Sequence, residues 1–412
     1  DRLVTRLPVA VDHDRTALVR PLGLGDERAD DLVHSVGRTA SRKRLSVTER
    51  SQEAGGVRGQ RNDEGGRATV GGMETRQWTL ASRPTGEPTA ENFELRTVEL
   101  DDPGHGEVLL RTLYQSVDPY MRGRMRDAES YAEPWDVGDP MRAGVVAEVV
   151  ESEHPRFEQG DVVQGESLYW AEHAVADGDD LRHVNPELAP VSTALGTLGM
   201  PGVTAYYGLT DVGEPSPGDT VVVSAAAGAV GNVVGQVAKL AGCRVVGIAG
   251  ADEKLAWLTD ELGFDAAINY KTEDVHARLR EETDGIDVYY DNVGGPVTDA
   301  VWDLLNVRCR VVVCGQIAQY NATEMPTGPR KLAKLIETRG TVEGVLVRDY
   351  DPEQWREAIE RLAGWIRAGK LDYRENVVEG FENAPDAFLG LFEGVNIGKQ
   401  LVKVAEPKYA DD

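Results

Sequence analysis

The sequence predicts an α/β fold: a doubly wound parallel sheet, preceded and followed along the chain by short strands of a mainly antiparallel, barrel-like type. Strands and helical runs alternate from about residue 197 to 370, which is typical of a parallel sheet. Short strands punctuated by Gly, Pro and Asp fill residues 78–196, which indicates antiparallel pairing. The same strand-and-turn pattern returns after residue 371 and ends in a strand at 398–404.

The individual strands follow from local apolar runs bounded by turn-forming residues. In the first segment we expect strands at 107–113, 143–151, 161–165 and 170–175. In the middle segment we expect parallel strands at 221–224, 244–249, 266–269, 288–291, 310–314 and 342–347. The corresponding segment boundaries are 73–196, 197–370 and 371–412.

Residues 1–72 differ in composition from the rest of the chain. They are rich in Arg, Gly, Asp and Ser and lack a sustained apolar pattern. Such segments cannot bury enough apolar surface to offset the entropy lost on ordering. The sequence therefore predicts a disordered extension, with the first domain starting at Met73.

Charge and cysteine content limit the classes of partner. The net charge of the 412 residues is −26, with 70 Asp and Glu against 44 Lys and Arg. Nucleic acids and anionic membranes bind basic surfaces, so neither is an expected partner. We interpret the excess of acid as a solvated, salt-adapted surface.

The sequence favours a cytoplasmic protein. Three cysteines are too few and too clustered for a disulfide framework. The sequence contains no run of about 18 apolar residues, so no membrane span is expected. The first residues lack the apolar core of a signal peptide.

The segment VVVSAAAGAVGNVVGQ at 221–236 carries the clearest functional signal. Ala226, Gly228 and Gly231 occupy the three small-residue positions of the dinucleotide fingerprint G-x-G-x-x-G, between a predicted strand and a predicted helix. Gly228 lets the backbone approach a pyrophosphate, and Gly231 lets the helix pack closely on the strand. The N–H groups at the helix start then face the phosphates.

Further motifs resemble one protein family. They are SVDPYMRGRM at 116–125, GMPGVTAYYGL at 199–209, AAAGAVGNVVGQVAKLAGC at 225–243, YYDNVGG at 289–295, GQIAQYN at 315–321, EGFENAPDAF at 379–388 and VNIGKQLVKV at 395–404. In this order and spacing the chain, from about residue 73 to 406, resembles the medium-chain dehydrogenase/reductase superfamily. More narrowly, it resembles the zinc-free branch of prostaglandin reductases and alkenal double-bond reductases. The resemblance implies a Rossmann domain that binds NADP, inserted in a GroES-like catalytic domain formed from both chain ends.

The resemblance also implies the residues that bind the cofactor. Gly228, Ala229, Val230 and Gly231 correspond to the family's pyrophosphate turn, Tyr270 to its adenosine contact, and Asn396 to a contact from the C-terminal segment. The loops that flank the nicotinamide correspond here to Cys314, Gly315, Gln316, Ile317, Tyr320, Val345 and Val347. Asn292 corresponds to an asparagine at the edge of the nucleotide, although a turn-forming role before Gly294 and Gly295 is equally compatible with the sequence.

The end of the second parallel strand favours NADP over NAD. An enzyme that prefers NAD usually carries Asp or Glu there, to bind the ribose 2′-hydroxyl group. Gly250 and Ala251 stand at this position, so no carboxylate would repel a 2′-phosphate. Lys254 corresponds to the family lysine that contacts this phosphate.

A zinc site is not expected. A catalytic zinc ion needs three protein ligands, usually Cys and His, and no cysteine precedes residue 243. His105, His154, His173 and His183 follow no metal-ligand spacing.

The resemblance implies an NADPH-dependent reduction of the C=C bond of α,β-unsaturated aldehydes and ketones. Tyr320 is the candidate hydrogen-bond donor to the carbonyl or enolate oxygen, because the family has a tyrosine at the same place before asparagine. Tyr120, in DPYM, is the candidate second donor or pocket wall. A quinone reductase of a neighbouring zinc-free branch and a non-catalytic NADPH-binding protein remain alternatives. Superfamily members are often homodimers, which implies pairing through the edge strand near 341–347.

Overall fold

The computed structural model describes residues 72–128 and 130–408. The predicted extension therefore lies outside the described residues, apart from Gly72. The strands are β1 (Met73–Leu80), β2 (Phe93–Leu100), β3 (Glu107–Ser116), β4 (Arg142–Ser152), β5 (Val162–Tyr169), β6 (His173–Asp177), β7 (Leu181–His183), β8 (Thr220–Ser224), β9 (Arg244–Ala249), β10 (Ala266–Asn269), β11 (Ile286–Asp291), β12 (Leu305–Val313), β13 (Thr341–Gly344), β14 (Glu375–Glu379) and β15 (Lys399–Lys403). The α-helices are α1 (Met121–Arg124), α2 (Met200–Tyr207), α3 (Gly231–Leu240), α4 (Asp252–Ala256), α5 (Val275–Glu282), α6 (Gly295–Trp302), α7 (Lys334–Thr338), α8 (Pro352–Arg367) and α9 (Ala384–Glu393).

Six strands form the parallel sheet, in the order β10-β9-β8-β11-β12-β13. The chain reverses its direction of progress between β8 and β11, and in such sheets the ligand crevice lies at the carboxyl ends of these two strands. The doubly wound sheet predicted from the sequence is confirmed. The sixth strand is shorter than predicted: it ends at Gly344, which pairs with Val313 at the end of β12, so no partner strand remains for residues 345–347.

Both faces of the parallel sheet are covered. In β8, Val221 and Val223 join one apolar cluster while Val222 joins another, and all three are fully buried. Successive side chains of a strand point to opposite faces, so a continuous valine run suits a sheet with helices on both sides. Burial of each valine contributes roughly 1.5–3 kcal/mol to the free energy of folding. The buried strand thereby fixes the position of the glycine turn that follows it.

The second large sheet is mainly antiparallel and joins both ends of the described chain. Its strand order is β14-β15-β3-β4-β5-β7, with β6 also paired to β3. Strand β15 pairs with β3 from Leu401 opposite Ser116. Along this path the outer strands β14 and β7 do not pair with each other in the described residues, so the predicted barrel-like unit is an open sheet here.

The predicted boundaries near residues 196 and 370 fall between the strands of these two sheets and stay a prediction. A short hairpin of β1 and β2 forms a separate sheet. No helix in the described ranges is both long enough and apolar enough to span a bilayer.

Candidate active site

A cavity of about 790 Å³ lies where the two large sheets meet. It is lined by the loops after β8, β9, β11 and β12, and by the segments around Tyr120 and Gly398 from the antiparallel sheet. The residues predicted from the sequence that line it are Tyr120, Gly228, Ala229, Val230, Gly231, Lys254, Tyr270, Asn292, Cys314, Gly315, Ile317, Tyr320, Val345, Val347 and Asn396. The fold thus brings into one cavity residues that are spread over almost 300 positions of sequence.

Gln316 is the predicted residue that does not line this cavity. Its carboxamide nitrogen donates to a carboxylate oxygen of Asp291 at 3.1 Å, and its carboxamide oxygen accepts from Gln319 at 2.9 Å. Because the nitrogen and the oxygen of its carboxamide both form hydrogen bonds to neighbouring side chains, Gln316 stabilises the loop that forms this part of the cavity wall.

The fingerprint turn has the geometry that its small residues suggest. A Cβ atom at Gly231 would lie 2.4 Å from the carbonyl oxygen of Ala225, so only glycine allows this approach of α3 to β8. Ala225 itself has φ of +48°, a left-handed conformation that is uncommon outside glycine. Asn232 donates through its side chain to the carbonyl oxygen of Gly228 at 2.6 Å, which fixes the turn.

The segment just before β15 of the antiparallel sheet contacts the fingerprint turn. The amide of Gly398 donates to the carbonyl oxygen of Ala227 at 2.8 Å, and Gly398 forms a parallel bridge with Gly228. Asn396 precedes this contact and donates through its side chain to the Gly398 carbonyl at 2.8 Å.

The end of β9 forms a basic corner of the cavity. A Cβ atom at Gly250 would lie 2.7 Å from the ring of Tyr270, so the tyrosine ring occupies the space that a larger residue would need. Lys254 and Lys271 both line this corner. Burial, followed by the charge of Lys271, lowers the pKa of Lys254, whose ammonium group donates to the carbonyl oxygen of Gly394 at 2.6 Å.

A buried carboxylate holds the loop after β11. Asp291 accepts hydrogen bonds from the backbone amides of Val293 and Gly294, at 3.0 and 2.9 Å, and from the hydroxyl group of Thr298 at 2.7 Å. Asn292 lies beside it and donates through its carboxamide to the carbonyl oxygen of Ser224 at 2.8 Å. Asn292 therefore ties β8 to β11 as well as lining the cavity.

Tyr320 follows a short 3-10 helix (Ile317–Gln319) and lines the cavity. The hydroxyl oxygen accepts from the backbone amide of Gln316 at 3.3 Å. Burial raises the pKa of Tyr320, so the phenol stays neutral and keeps its proton available as a donor. Arg126 donates to the carbonyl oxygen of Ala322 at 2.9 Å and also to that of Tyr320, which anchors the loop.

Tyr120 and Tyr131 complete a group of three tyrosines. Together with Tyr320 they line both the main cavity and an adjoining cavity of about 130 Å³. Burial raises the pKa of Tyr120, and the nearby acidic groups Asp118 and Glu166 raise it further.

The arginines after Tyr120 anchor loops by donating hydrogen bonds to the oxygen atoms of carbonyl groups. Arg122 is buried and donates to the carbonyl oxygen of Gly86 at 2.7 Å and to the side-chain oxygen of Asn321 at 3.1 Å. Arg124 donates to the carbonyl oxygen of Glu133 at 3.1 Å. Carbonyl oxygens are available here because these loops have no strand partners.

Two carboxyl groups face the antiparallel end of the cavity. Asp118 is paired with Lys399, whose ammonium nitrogen lies 3.0 Å away, and it also accepts from Ser116. Glu166 accepts at one oxygen from the carboxamide of Gln164 at 2.9 Å. In the part of the chain that is described, no group of three or more His, Cys, Asp or Glu side chains is arranged to hold a metal ion.

Comparison with known proteins decides the family. Residues 76–184 match a family described as the N-terminal domain of oxidoreductase, and residues 229–364 match one described as zinc-binding dehydrogenase. The chain is 47% identical over 338 residues to the NADPH-dependent curcumin reductase of Escherichia coli (strain K12), an alignment that covers 81% of this chain and 98% of the relative. It is 44% identical over 340 residues to the NADP(+)-dependent 2-alkenal reductase of Nicotiana tabacum, covering 81% and 98%.

This chain is a medium-chain dehydrogenase/reductase. Among solved structures, the reductase is similar to CurA from Vibrio vulnificus in complex with NADPH, with a TM-score of 0.77 and 47% identity over 81% of this chain and 100% of that one. The predicted resemblance to the branch of prostaglandin and alkenal reductases is confirmed.

Several residues of the reductase's cavity were not found from the sequence. Lys271 directly follows Tyr270 and could have been found as a second cation at the basic corner. Asp291 belongs to the recognised YYDNVGG motif, but its carboxylate contacts depend on the loop conformation. Glu166 and Lys399 carry no local signal, because each faces the cavity only through the pairing of its strand.

Proposed function

We propose that this protein reduces the C=C bond of α,β-unsaturated aldehydes and ketones with NADPH. The observation that carries the proposal is the combination of the fingerprint turn and the tyrosine group in one cavity, in a chain 47% identical to a reductase whose name specifies NADPH. The protein is an NADP-dependent oxidoreductase of the double-bond reductase branch.

The cavity suits the cofactor. The turn at Gly228 and the start of α3 offer backbone amides to a pyrophosphate, because the first N–H groups of a helix lack intrahelical partners. Lys254 and Lys271 supply positive charge beside Gly250, where NAD-preferring enzymes carry a carboxylate. The ring of Tyr270 fills the space that a side chain larger than glycine would need at position 250, so a carboxylate would fit there only if the ring moved. From this and from the two lysine charges we infer a preference for NADPH.

The reaction needs orientation and one strong hydrogen-bond donor. NADPH, when bound, would supply hydride to the β-carbon of the substrate. We assign to Tyr320 the hydrogen bond to the carbonyl oxygen, where negative charge gathers as the enolate forms. Arg126 holds the backbone of this tyrosine, and Tyr120 lines the same cavity. A proton from water would then add to the α-carbon of the enolate, and the saturated carbonyl compound would leave.

The test is NADPH oxidation by the full chain with an enal, an enone and a benzoquinone, followed by product analysis. With NADPH deuterated at the transferring position of C4, we expect the saturated carbonyl compound with deuterium on its β-carbon. An allylic alcohol as product would contradict the proposal. Turnover of the quinone alone would favour the quinone reductase alternative, and no turnover of any acceptor would favour a non-catalytic binding protein.

We also propose a homodimer formed through β13. All four residues of this outer strand are exposed, and Leu332, Ile336 and Val342 are exposed apolar side chains in or just before it. Unpaired strand edges with apolar neighbours favour association. Sedimentation velocity should show a dimer for the wild type and a monomer for Val342→Lys, whereas a dimer for both would contradict this interface.

A further inference from the structure

Glu166 is directed into the cavity by a strand irregularity. In the pairing of β4 with β5, Ala143 lies opposite Leu168 and Val145 opposite Gly165, so Glu166 and Ser167 together face only Gly144. This is a β-bulge, which re-aims side chains and occurs often beside functional sites. A Cβ atom at Gly144 would lie 3.8 Å from Oε2 of Glu166, an ordinary van der Waals distance, so the carboxyl group lies beside this glycine.

A chain of hydrogen bonds fixes the orientation of this carboxyl group. Arg182 donates to Gln164 at 2.6 Å, and Gln164 donates to Oε1 of Glu166 at 2.9 Å. The neighbouring carboxylate, Asp118, is neutralised by Lys399 at 3.0 Å, whereas Glu166 has no ion-pair partner within 4.0 Å among the described residues. The second oxygen of Glu166 thus remains available to a ligand in the cavity.

The surroundings of Glu166 belong to the substrate end of the cavity. The side chain lines the cavity together with Tyr120, and the nucleotide turn lies on the other sheet. The charged groups that act on Glu166 are Asp118, Arg182 and Arg348. Protein packed around the carboxyl group desolvates it and raises its pKa, while the side chain remains exposed to the cavity.

We propose that Glu166 is a specificity-determining residue that accepts a hydrogen bond from a hydroxyl substituent on the enal or enone and disfavours substrates carrying a carboxylate. Glu166 is exposed to the cavity, and a substrate that displaces water from its second oxygen without supplying a donor leaves that acceptor unsatisfied. An unsubstituted substrate therefore binds less well than one that supplies a hydroxyl group. When Glu166 is ionised, it repels the carboxylate of a substrate at the same place. The inference rests on the proposed function, whose substrate class it narrows.

The experiment compares three enones: 4-phenylbut-3-en-2-one and its derivatives with a hydroxyl or a carboxyl group on the ring. We expect wild-type kcat/KM to be highest for the hydroxyl derivative and lowest for the carboxyl derivative. In Glu166→Gln the carboxamide keeps its oxygen on Gln164 and turns its NH2 group to the cavity. The preference for hydroxyl over unsubstituted substrate should then fall about ten- to one-hundred-fold, and the carboxyl derivative should gain relative to both.

Glu158→Gln is the matched control, because Glu158 is exposed and lies outside the cavity, and its three kcat/KM values should equal those of the wild type. Thermal melting and NADPH binding establish that each variant is folded. If Glu166→Gln does not fold, Glu166→Asp, which withdraws the carboxylate by one methylene group, should give an intermediate preference.

The proposal is wrong if a folded Glu166 variant shows the same ratios of kcat/KM among the three enones as the wild-type enzyme. It is also wrong if the wild-type enzyme prefers the carboxyl derivative, which would point to Arg348 as the substrate contact. Failure of the proposed function gives a different result, since none of the three enones would then oxidise NADPH.

Discussion

At the scale of single residues, the two tyrosines predicted from the sequence have different surroundings. The hydroxyl group of Tyr320 contacts the backbone amide of Gln316, and its loop is anchored by Arg126. Tyr120 lies beside the acidic groups Asp118 and Glu166, which oppose its ionisation. Both phenols remain neutral at physiological pH, but the anchored loop makes Tyr320 the stronger candidate for donating to a developing enolate.

Replacing Tyr320 by Phe should therefore slow the chemical step. Loss of one preorganised donor costs about 2–4 kcal/mol of transition-state stabilisation, which corresponds to a rate about 30- to 1,000-fold lower. Single-turnover kinetics with an enone measures this step, and the Kd for NADPH should stay near the wild-type value. Tyr373→Phe, outside the cavity, serves as the control. A wild-type rate in Tyr320→Phe would remove this residue from the mechanism.

Replacing Lys254 by Ala should weaken NADPH binding and leave NADH binding nearly unchanged. Lys254 and Lys271 line the corner beside Gly250, and a 2′-phosphate is the group that separates the two cofactors. Loss of one charge-assisted contact of about 1.5 kcal/mol raises the Kd for NADPH roughly tenfold. Fluorescence titration with both cofactors measures this difference, with the exposed Lys370→Ala as control. Equal effects on the two cofactors would argue against a phosphate contact.

At the scale of elements, the sequence predicts the strands whose bounds depend only on the local pattern of residues. The strands at 244–249 and 266–269 have the predicted bounds, because unbroken apolar runs end at turn-forming residues. The last parallel strand was predicted to be too long, because its end depends on where its partner strand β12 ends. The position of Glu166 was not predictable, because it depends on a bulge opposite Gly144. The fingerprint turn, by contrast, is specified by its own residues.

Helix α1 provides a test at this scale, because it fastens two loops to the wall of the cavity. Arg122 binds the carbonyl oxygens of Pro84 and Gly86 and the side chain of Asn321, next to Tyr320. Arg122→Leu leaves these acceptors unsatisfied, so we expect a loss of about 2–4 kcal/mol in unfolding free energy. Because the 320–322 loop loses an anchor, kcat should fall as well.

Urea unfolding and steady-state kinetics measure the two effects of Arg122→Leu separately. Arg156→Leu is the matched control: its guanidinium group binds the carbonyl oxygen of Gly178 at 2.7 Å, away from the cavity. The control should lower stability without changing kcat. An unchanged kcat in a folded Arg122→Leu protein would mean that the loop does not depend on this anchor.

At the scale of the whole molecule, charge is the dominant feature. The net charge of −26 places mutually repelling carboxylates over the protein, and such repulsion destabilises a compact state. Ion pairs such as Arg278 with Glu273 and Glu282 offset part of it locally. The buried valines of β8 and the two-sided cover of the parallel sheet supply the opposing apolar stabilisation.

The melting temperature should therefore rise between dilute buffer and molar KCl, by about 5 °C or more, because salt screens repulsion between exposed charges. Differential scanning calorimetry across a KCl series measures the effect, and sucrose of equal osmolality controls for general exclusion from the protein surface. A melting temperature that stays constant or falls in KCl would rule out the salt-adapted surface.

The pairing of Gly398 with the fingerprint turn limits how the molecule can move. Gly398 contacts the fingerprint turn, and the next residue, Lys399, begins β15 of the other sheet. Any rotation of the two sheets relative to each other must either pivot at this point or break its hydrogen bond. With the pivot there, Tyr120, which follows β3 of the antiparallel sheet, would move relative to Tyr320, which follows β12 of the parallel sheet, while the contact at the fingerprint turn is kept.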